Sequence, residues 1–258
     1  MKISVITITF NNEKGLSRTL ESLRSQKIEN LQVIVIDGGS SDGSLEMIRK
    51  SPVVTDWISE SDNGVYNAMN KGLQRVTGDL VFFLNGGDEF TGSGVLQQVT
   101  GFISRHPGFD IYYGNVLDIY EDGRQALRKP DSISKVSLYR KMICHQGIFA
   151  AARLFKENGG FDEELRIKAD YDWLLRNIFR NASHCYMDLQ IANYEMGGIS
   201  TTLYDTVSVR EIPRVRDRYY SARIQKKIRR YLLNPRIPVF YWLYNRPVFT
   251  RMIDKCIK

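Results

Sequence analysis

The sequence is poor in cysteine, and its cysteines are widely separated. Only Cys144, Cys185 and Cys256 occur in 258 residues, and no CxxC pair is present. This spacing excludes a disulfide-rich scaffold and a zinc site built on cysteine pairs, and we expect a reducing, cytoplasmic compartment. No apolar run approaches the roughly 20 residues of a membrane span, and no signal-peptide pattern precedes the first predicted strand.

Two familiar phosphate-binding motifs are also missing. The chain has no GxGxxG after its first predicted strand and no GxxxxGK[ST] anywhere. A dinucleotide-binding fingerprint and a P-loop are therefore excluded. A diphosphate bound by this chain would need another source of positive charge, such as a metal ion.

The overall composition is ordinary, but the charge is unevenly distributed. With 43% hydrophobic and 25% charged residues, the chain is long enough for one large domain or one domain with an extension. The net charge of +7 comes from residues 207–258, which hold 14 Lys and Arg against 3 Asp and Glu. The preceding residues are slightly acidic, so the tail is interpreted separately from the body.

Short apolar runs alternate with segments of helical periodicity over the first 120 residues. The predicted strands are Ile3–Phe10, Leu31–Ile36, Trp57–Ser59, Leu80–Leu84 and Asp110–Val116. The predicted helices are Glu13–Ser25, Ser44–Lys50, Val65–Val76 and Val95–Ser104. This alternation predicts an α/β protein with a parallel, doubly wound sheet.

After about residue 120 the predicted elements are shorter and mixed. They are the strands Ile148–Ala151, Cys185–Leu189 and Ile191–Glu195 and the helices Arg153–Asn158 and Asp170–Phe179. We expect this half to complete the sheet and to face the ligand. The predicted domains are a body of residues 1–206, with halves 1–118 and 119–206, and a helical extension of residues 207–258.

Polar residues follow three of the predicted strands. Ligands of open parallel sheets bind outside the carboxyl ends of the strands. Phe10 and its neighbours would supply an aromatic face and an amide, and Asp37 would accept hydrogen bonds from a base or ribose. Asp88, after the turn at 85–87, would bind a cation that bridges a diphosphate. The residues alone also fit a plain loop before a helix capped by Thr91 or Ser93, with Asp37 as a turn former.

Seven segments, taken in order, resemble one known family. They are SVITITFNN, VIDGGSSDGS, SESDNGVYNAMNKGL, TGDLVFFLNGGDEF, the pair His145-Gln146, ADYDWLLR and YEMGGIST. Together they resemble glycosyltransferase family 2 over roughly residues 1–205, and within it the bacterial branch that builds colanic acid, capsule and O-antigen polysaccharides. The resemblance implies a GT-A fold, a Rossmann-like, mostly parallel sheet flanked by helices.

The resemblance also implies where a donor nucleotide would bind. Thr9, Asn11 and Asp37 would lie around the uridine, with Asp37 accepting a hydrogen bond from the uracil. Asp62 and Lys71 stand where the family contacts the nucleotide or its diphosphate.

Two aspartates carry the implied chemistry. Asp88 matches the last aspartate of the metal-binding DxD-type motif, although NGG at 85–87 replaces the earlier acidic position. Asp170 matches the general base, although Ala169 replaces the commoner glutamate. By position alone, Asp170 also fits the N-cap of its helix. His145 fits either a hydrogen-bonded loop residue or a contact to the acceptor or diphosphate.

The expected function is inverting transfer of a hexosyl or N-acetylhexosaminyl group from a UDP-sugar, with Mg²⁺ or Mn²⁺, to a lipid-linked saccharide of a surface polysaccharide. One alternative is a nucleotidyltransferase that makes sugar nucleotides, but the glycine- and arginine-rich loop of that class is absent after the first strand. The other is a non-catalytic module that binds nucleotides or docks on membranes.

The tail contains a basic amphipathic segment, Ser221–Asn234, and an aromatic run, Phe240–Tyr244. This combination predicts peripheral binding to the anionic inner face of the plasma membrane. The alternative is a helix that packs on the body and leaves its basic face in solvent. Nucleic acid is not expected as a partner because no recognition motif is present. An oligomer is compatible with the sequence.

Overall fold

The sheet and the helices around it are seen in a computed structural model that describes residues 1–197 and 204–232. The strands are β1 (Ile3–Thr9), β2 (Leu31–Asp37), β3 (Asp56–Ser59), β4 (Leu80–Phe83), β5 (Glu89–Phe90), β6 (Ile111–Ile119), β7 (Gln125–Arg128), β8 (Ile148–Ala151) and β9 (His184–Glu195). The helices are α1 (Glu13–Arg24), α2 (Ser44–Lys50), α3 (Val65–Leu73), α4 (Val95–Arg105), α5 (Lys135–Arg140), α6 (Ala152–Asn158), α7 (Ala169–Phe179), α8 (Tyr204–Tyr219) and α9 (Ala222–Leu232).

The first four strands form the parallel part of the sheet. Ile3 of β1 pairs with both Leu31 of β2 and Leu80 of β4, so the three strands start at the same level. At the other end Thr9 lies opposite Asp37. The polar residues that follow these strands therefore meet at one edge of the sheet.

The second half of the sheet is mixed, as predicted. The strand order is β3-β2-β1-β4-β8-β6-β9-β5, with β7 paired to β6. Strand β8 runs antiparallel to β4 and β6, whereas β6 and β9 are parallel. The predicted α/β architecture is confirmed.

Several local predictions need correction. Strand β9 is one strand instead of two, because Gln190 does not break it but pairs with Asn115 at an irregularity of the ladder. Helix α3 ends at Leu73 instead of Val76, and the chain continues in a turn in which Val76 N–H donates to the Leu73 carbonyl. The short elements β5, β7 and α5 were not predicted, and α8 begins at Tyr204, before the helical extension predicted from residue 207.

Both faces of β1, β2 and β4 are buried. Ile6, Ile34 and Ile36 face the core beneath α3 and α7, while the alternate residues Val5 and Val33 face the core beneath α1 and α4. Strands covered on both faces are continuous apolar runs, which is the pattern of this sequence. None of the described helices is long and apolar enough to cross a bilayer.

Helices α8 and α9 pack against the body. Val215, Tyr220 and Ile228 are buried in the same core as α7. The Glu211 carboxylate accepts hydrogen bonds from the N–H groups of Arg166 and Ile167, at 2.7 and 3.1 Å. The boundary predicted after residue 206 falls inside α8, and the division into domains stays a prediction. The aromatic run at 240–244 lies outside the described residues.

A buried carboxylate joins α7 to α8. Asp172, 1% exposed, accepts hydrogen bonds from Arg176 at 2.7 Å, from Arg218 at 2.8 Å and from the Tyr219 hydroxyl at 3.0 Å. Burying a charge is favourable only when partners of this kind compensate it. This buried carboxylate of α7 is therefore one of the contacts that hold α8 on the body.

We expect Asp172→Ala to lower the free energy of unfolding by about 3 kcal/mol, since it leaves two arginines without their buried partner. Urea unfolding followed by circular dichroism measures this change. Glu46→Ala, which removes the exposed partner of Lys50, is the matched control and should cost about 0.5 kcal/mol. Equal effects of the two substitutions would contradict the role of Asp172.

Candidate active site

A cleft of about 1560 Å³ lies at the carboxyl ends of β1, β2 and β4. It is lined by the loops after these strands, by the 3-10 turn His145–Gly147 and by the start of α7. Pockets for a single small molecule measure roughly 300 to 1000 Å³. This cleft therefore has room for more than one substrate.

The loop after β4 holds Asp88 inside the cleft. Gly87 has φ of 109°, a conformation that favours glycine, and a Cβ there would lie 2.6 Å from a Glu195 oxygen. The Thr19 hydroxyl of α1 accepts from Gly87 N–H at 3.0 Å and donates to the Asp88 carbonyl at 2.7 Å. Helix α1 and the glycine together determine where the carboxylate lies.

The Asp88 carboxylate is 4% exposed and contacts neutral donors. It accepts hydrogen bonds from Gln146 Nε2 at 2.9 Å and from Glu195 N–H at 3.3 Å. Burial raises the pKa of Asp88 from 3.8 to about 6, although the Gln146 hydrogen bond and the charge of His145 act in the opposite direction. A cation at this position would favour the ionised form.

The residues around Asp88 fit a cation bound through one carboxylate. Asn85 and Thr9 line the cleft. Their buried oxygens, Asn85 Oδ1 and Thr9 Oγ1, have no hydrogen-bond partner among the residues that the structure describes. Within residues 1–197 and 204–232, no group of three or more His, Cys, Asp or Glu side chains could hold a metal. A divalent cation here would take its remaining oxygen ligands from a diphosphate and from water, as Mg²⁺ usually does.

Asp170 lies at the start of α7 and is held by three donors. Its Oδ1 accepts from the Tyr66 hydroxyl at 2.9 Å and from Tyr171 N–H at 2.8 Å, and its Oδ2 lies 3.0 Å from His145 Nδ1. Burial, followed by the charge of Asp170, raises the pKa of Tyr66 well above its ordinary value of 10.0. The phenol therefore stays protonated and donates to the carboxylate.

The His145–Gly147 turn connects the two aspartates. Gln146 contacts Asp88, and His145 contacts Asp170 and, at 3.3 Å, the Asn85 amide nitrogen. The sequence suggested that His145 contacts the acceptor or diphosphate. It gave no indication of the contact between Tyr66 and Asp170, which are 104 positions apart.

The residues predicted around the nucleotide divide into two groups. Thr9 and Asp62 line the cleft, and Phe10, 62% exposed, also lines it. Asn11 and Lys71 lie outside this lining and contact neighbouring loops. Asn11 Oδ1 accepts from Ser41 N–H at 2.8 Å, and Lys71 Nζ lies 2.7 Å from Asp62 Oδ1 and 2.9 Å from Glu60 Oε1.

Asp37 is fully buried beneath the loop that follows β2. Its carboxylate accepts from the Ser40 hydroxyl at 2.5 Å, from Ser40 N–H at 3.0 Å and from the Ser59 hydroxyl at 2.6 Å. These bonds shape the loop at Gly38 and Gly39, which lines the cleft. The role predicted for Asp37 at the uracil stays a prediction.

Comparison with solved structures identifies the fold. TarS 1–349 of S. aureus, in complex with UDP-GlcNAc, superposes with a TM-score of 0.66 and 21% identity over 78% of this chain and 61% of that chain. The mannosyltransferase PcManGT of Pyrobaculum calidifontis, in complex with GDP-Man and Mn²⁺, superposes with a TM-score of 0.60 and 15% identity over 79% and 59%. This chain thus spans about three fifths of their length, and the likeness confirms a GT-A-like α/β fold.

Sequence comparison identifies the family. The family model described as Glycosyl transferase family 2 matches residues 4–159. An uncharacterized glycosyltransferase of Mycobacterium tuberculosis is 35% identical over 67% of this chain and 68% of its own length. A PGL/p-HBAD biosynthesis glycosyltransferase of the same organism is 30% identical over 81% and 83%. The chain belongs to glycosyl transferase family 2 and is a glycosyltransferase.

Proposed function

We propose that this enzyme transfers a hexosyl or N-acetylhexosaminyl group, with inversion, from a UDP-sugar to a lipid-linked saccharide in surface polysaccharide biosynthesis. The observation that carries the proposal is the pair of adjacent residues His145 and Gln146. His145 contacts Asp170 and Gln146 contacts Asp88. A candidate base and a candidate cation ligand therefore lie in one cleft. The complexes of TarS with UDP-GlcNAc and of PcManGT with GDP-Man and Mn²⁺ support a nucleotide-sugar donor.

The donor nucleotide would lie at the ends of β1 and β2. Phe10 offers a ring on which a base can stack, and Thr9 lines the cleft beside it. In the described part of the lining, the first 118 residues contribute no Lys or Arg. Asp88 and Asn85 would hold Mg²⁺ or Mn²⁺, which supplies the positive charge that stabilises the departing diphosphate.

Asp170 would act as the general base. An acceptor hydroxyl attacks the anomeric carbon on the face opposite UDP and gives its proton to an Asp170 oxygen. The bond from the anomeric carbon to the diphosphate oxygen breaks, and UDP leaves with the electron pair. The donors from Tyr66 and Tyr171 hold the carboxylate in one orientation throughout.

UDP at about 100 times its dissociation constant should stabilise the protein by about 2.7 kcal/mol, and this gain should require Mn²⁺ and Asp88. Thermal unfolding with UDP, with and without Mn²⁺, measures the gain in the wild type and in Asp88→Asn. Asp122→Asn, in the exposed β6–β7 turn, is the control and should keep it. An equal gain in the wild type, Asp88→Asn and Asp122→Asn would contradict the role of Asp88 as a cation ligand. No gain in any of them would contradict UDP as the nucleotide of the donor.

Asp170→Asn should lower kcat by about 10²- to 10⁴-fold, which is the usual contribution of a general base. The mutant should keep the UDP-dependent thermal shift, since the base does not hold the nucleotide. UDP release from UDP-GlcNAc and UDP-glucose, measured with membranes that contain the acceptor, provides the rate. The assignment fails if the rate is unchanged, or if the loss of rate comes with loss of UDP binding.

The exposed basic face of α9 would bring the enzyme to the inner face of the plasma membrane. Ile228 is buried against the body, whereas Arg223, Lys226, Lys227 and Arg230 are exposed. The apolar side of α9 is therefore used within the protein, and membrane contact would be electrostatic.

Vesicles containing phosphatidylglycerol should sediment the enzyme at low salt, and pure phosphatidylcholine vesicles should not. The double variant Lys226→Glu/Lys227→Glu should weaken binding about tenfold or more, because each basic residue contributes about 1 kcal/mol at an anionic surface. Equal sedimentation with both lipids, or with both proteins, would contradict the proposal.

A further inference from the structure

Gln146 is a buried polar side chain between the Asp88 carboxylate and the thiol of Cys144. It is 2% exposed, and all three residues line the cleft. Its Nε2 donates to Asp88 Oδ2 at 2.9 Å, and its Oε1 accepts a hydrogen bond from Cys144 Sγ at 2.8 Å. Both ends of the amide are therefore used, one on the candidate cation ligand and the other on a cysteine.

The chemistry of the two neighbours agrees with this orientation of the amide. An ionised carboxylate can only accept hydrogen bonds, so Asp88 has to face the NH₂ end of Gln146. The oxygen end then has to meet a donor, and Cys144 is a donor only while it keeps its proton. Burial raises the pKa of Cys144 to about 12, although the charge of Arg128 acts in the opposite direction. The thiol is therefore protonated at neutral pH and donates to Gln146.

The backbone holds Cys144 and Gln146 in one short turn. Gly147 N–H donates to the Cys144 carbonyl at 3.1 Å, which closes the 3-10 turn His145–Gly147. The turn packs so closely on β6 that a Cβ at Gly147 would lie 2.7 Å from the Gly114 carbonyl oxygen. The thiol and the amide are therefore held close to each other and to the sheet.

Asp88 keeps room for a cation while it accepts these bonds. Its Oδ2 takes the bond from Gln146, and its Oδ1 takes the longer bond from Glu195 N–H, at 3.3 Å. Each carboxylate oxygen has two lone pairs, so these two bonds leave one on each oxygen for a cation. Groups that hydrogen-bond a metal ligand orient it, and their loss weakens metal binding by about 10- to 100-fold.

We propose that Cys144 and Gln146 are positioning residues for the cation site, with the Cys144 thiol acting on Asp88 through the Gln146 amide. Neither residue contacts the cation itself. The inference rests on the proposed function, in which Asp88 holds the divalent cation, and it adds two residues that determine how tightly this cation binds. Serine can replace Cys144 in this role because its hydroxyl also donates a hydrogen bond, whereas alanine cannot.

The test is a titration of the full chain with Mn²⁺ in the presence of saturating UDP, in which electron paramagnetic resonance measures the free Mn²⁺. The variants are Cys144→Ala, Cys144→Ser, Gln146→Met, which keeps the length of the side chain, and the double variant Cys144→Ala/Gln146→Met. Cys185→Ala is the matched control, since Cys185 is also a free, partly buried thiol but is outside the described lining of the cleft.

Gln146→Met should bind Mn²⁺ at least about tenfold more weakly than the wild type. Cys144→Ala should bind it about fivefold more weakly, which corresponds to the loss of one neutral hydrogen bond. Cys144→Ser and Cys185→Ala should bind like the wild type. The double variant should bind no more weakly than Gln146→Met, because the thiol acts only through the amide, whereas a merely structural role of Cys144 would add its effect to that of Gln146→Met.

The infrared S–H stretching band tests the thiol contact without reference to binding. The band lost in Cys144→Ser should lie at lower frequency than the band lost in Cys185→Ala, because Cys185 Sγ is 3.9 Å from its acceptor, the Tyr186 carbonyl. A Cys144 band at the same or a higher frequency overturns the inference.

The Mn²⁺ titration also separates failure of this inference from failure of the proposed function. Mn²⁺ binding that is lost in Asp88→Asn but unchanged in Cys144→Ala or Gln146→Met overturns the inference alone. Additive effects in the double variant do the same, and so does Cys144→Ser binding as weakly as Cys144→Ala. A wild type that binds no Mn²⁺ with UDP, or binds it equally well after Asp88→Asn, removes the proposed cation site and the inference with it.

Discussion

The site depends on the register that β1 shares with β2 and β4. The chain remains hydrogen-bonded to β1 after β4 ends, since Leu84 N–H donates to the Ile6 carbonyl and Gly86 N–H to the Ile8 carbonyl. This extension carries the turn at 85–87 to the end of β1 and delivers Asp88 into the cleft. A shift of one residue would turn these side chains to the other face of the sheet.

The two candidate carboxylates of the cleft have similar surroundings. Asp88 and Asp170 are buried and contact mainly neutral donors, from Gln146, Tyr66 and backbone N–H groups. These donors orient the carboxylates without cancelling their charge, which suits one to a cation and the other to a proton. The Lys and Arg side chains of the described lining all come from residues after 118, and α8 supplies part of the wall. The segment that the sequence marks as an extension is therefore, through Arg216, also part of the cleft.

The parts of the fold that could be predicted are those with a local signal. Strands β1 to β4 are apolar runs, and their helices have a regular periodicity. Strand β7 could not be found this way, because Gln125–Arg128 is mostly exposed and has no apolar pattern. Strand β5 has two residues and depends on its pairing with β9, about 100 residues later. In β9, Gln190 resembled a break until its partner on β6 was known.

For the candidate site, the sequence by itself determined the polar residues at the strand ends and, through seven motifs in order, the family. Only the tertiary structure decided which of them line the cleft. Asn11, Asp37 and Lys71 support its loops, whereas Phe10 faces it. The tertiary structure alone also decided the contacts of Asp170 with Tyr66 and His145, since these contacts join residues 104 and 25 positions apart. The periodicity of a helix or strand can be recognised from neighbouring residues in the sequence. Contacts between distant residues instead depend on strand register and helix packing.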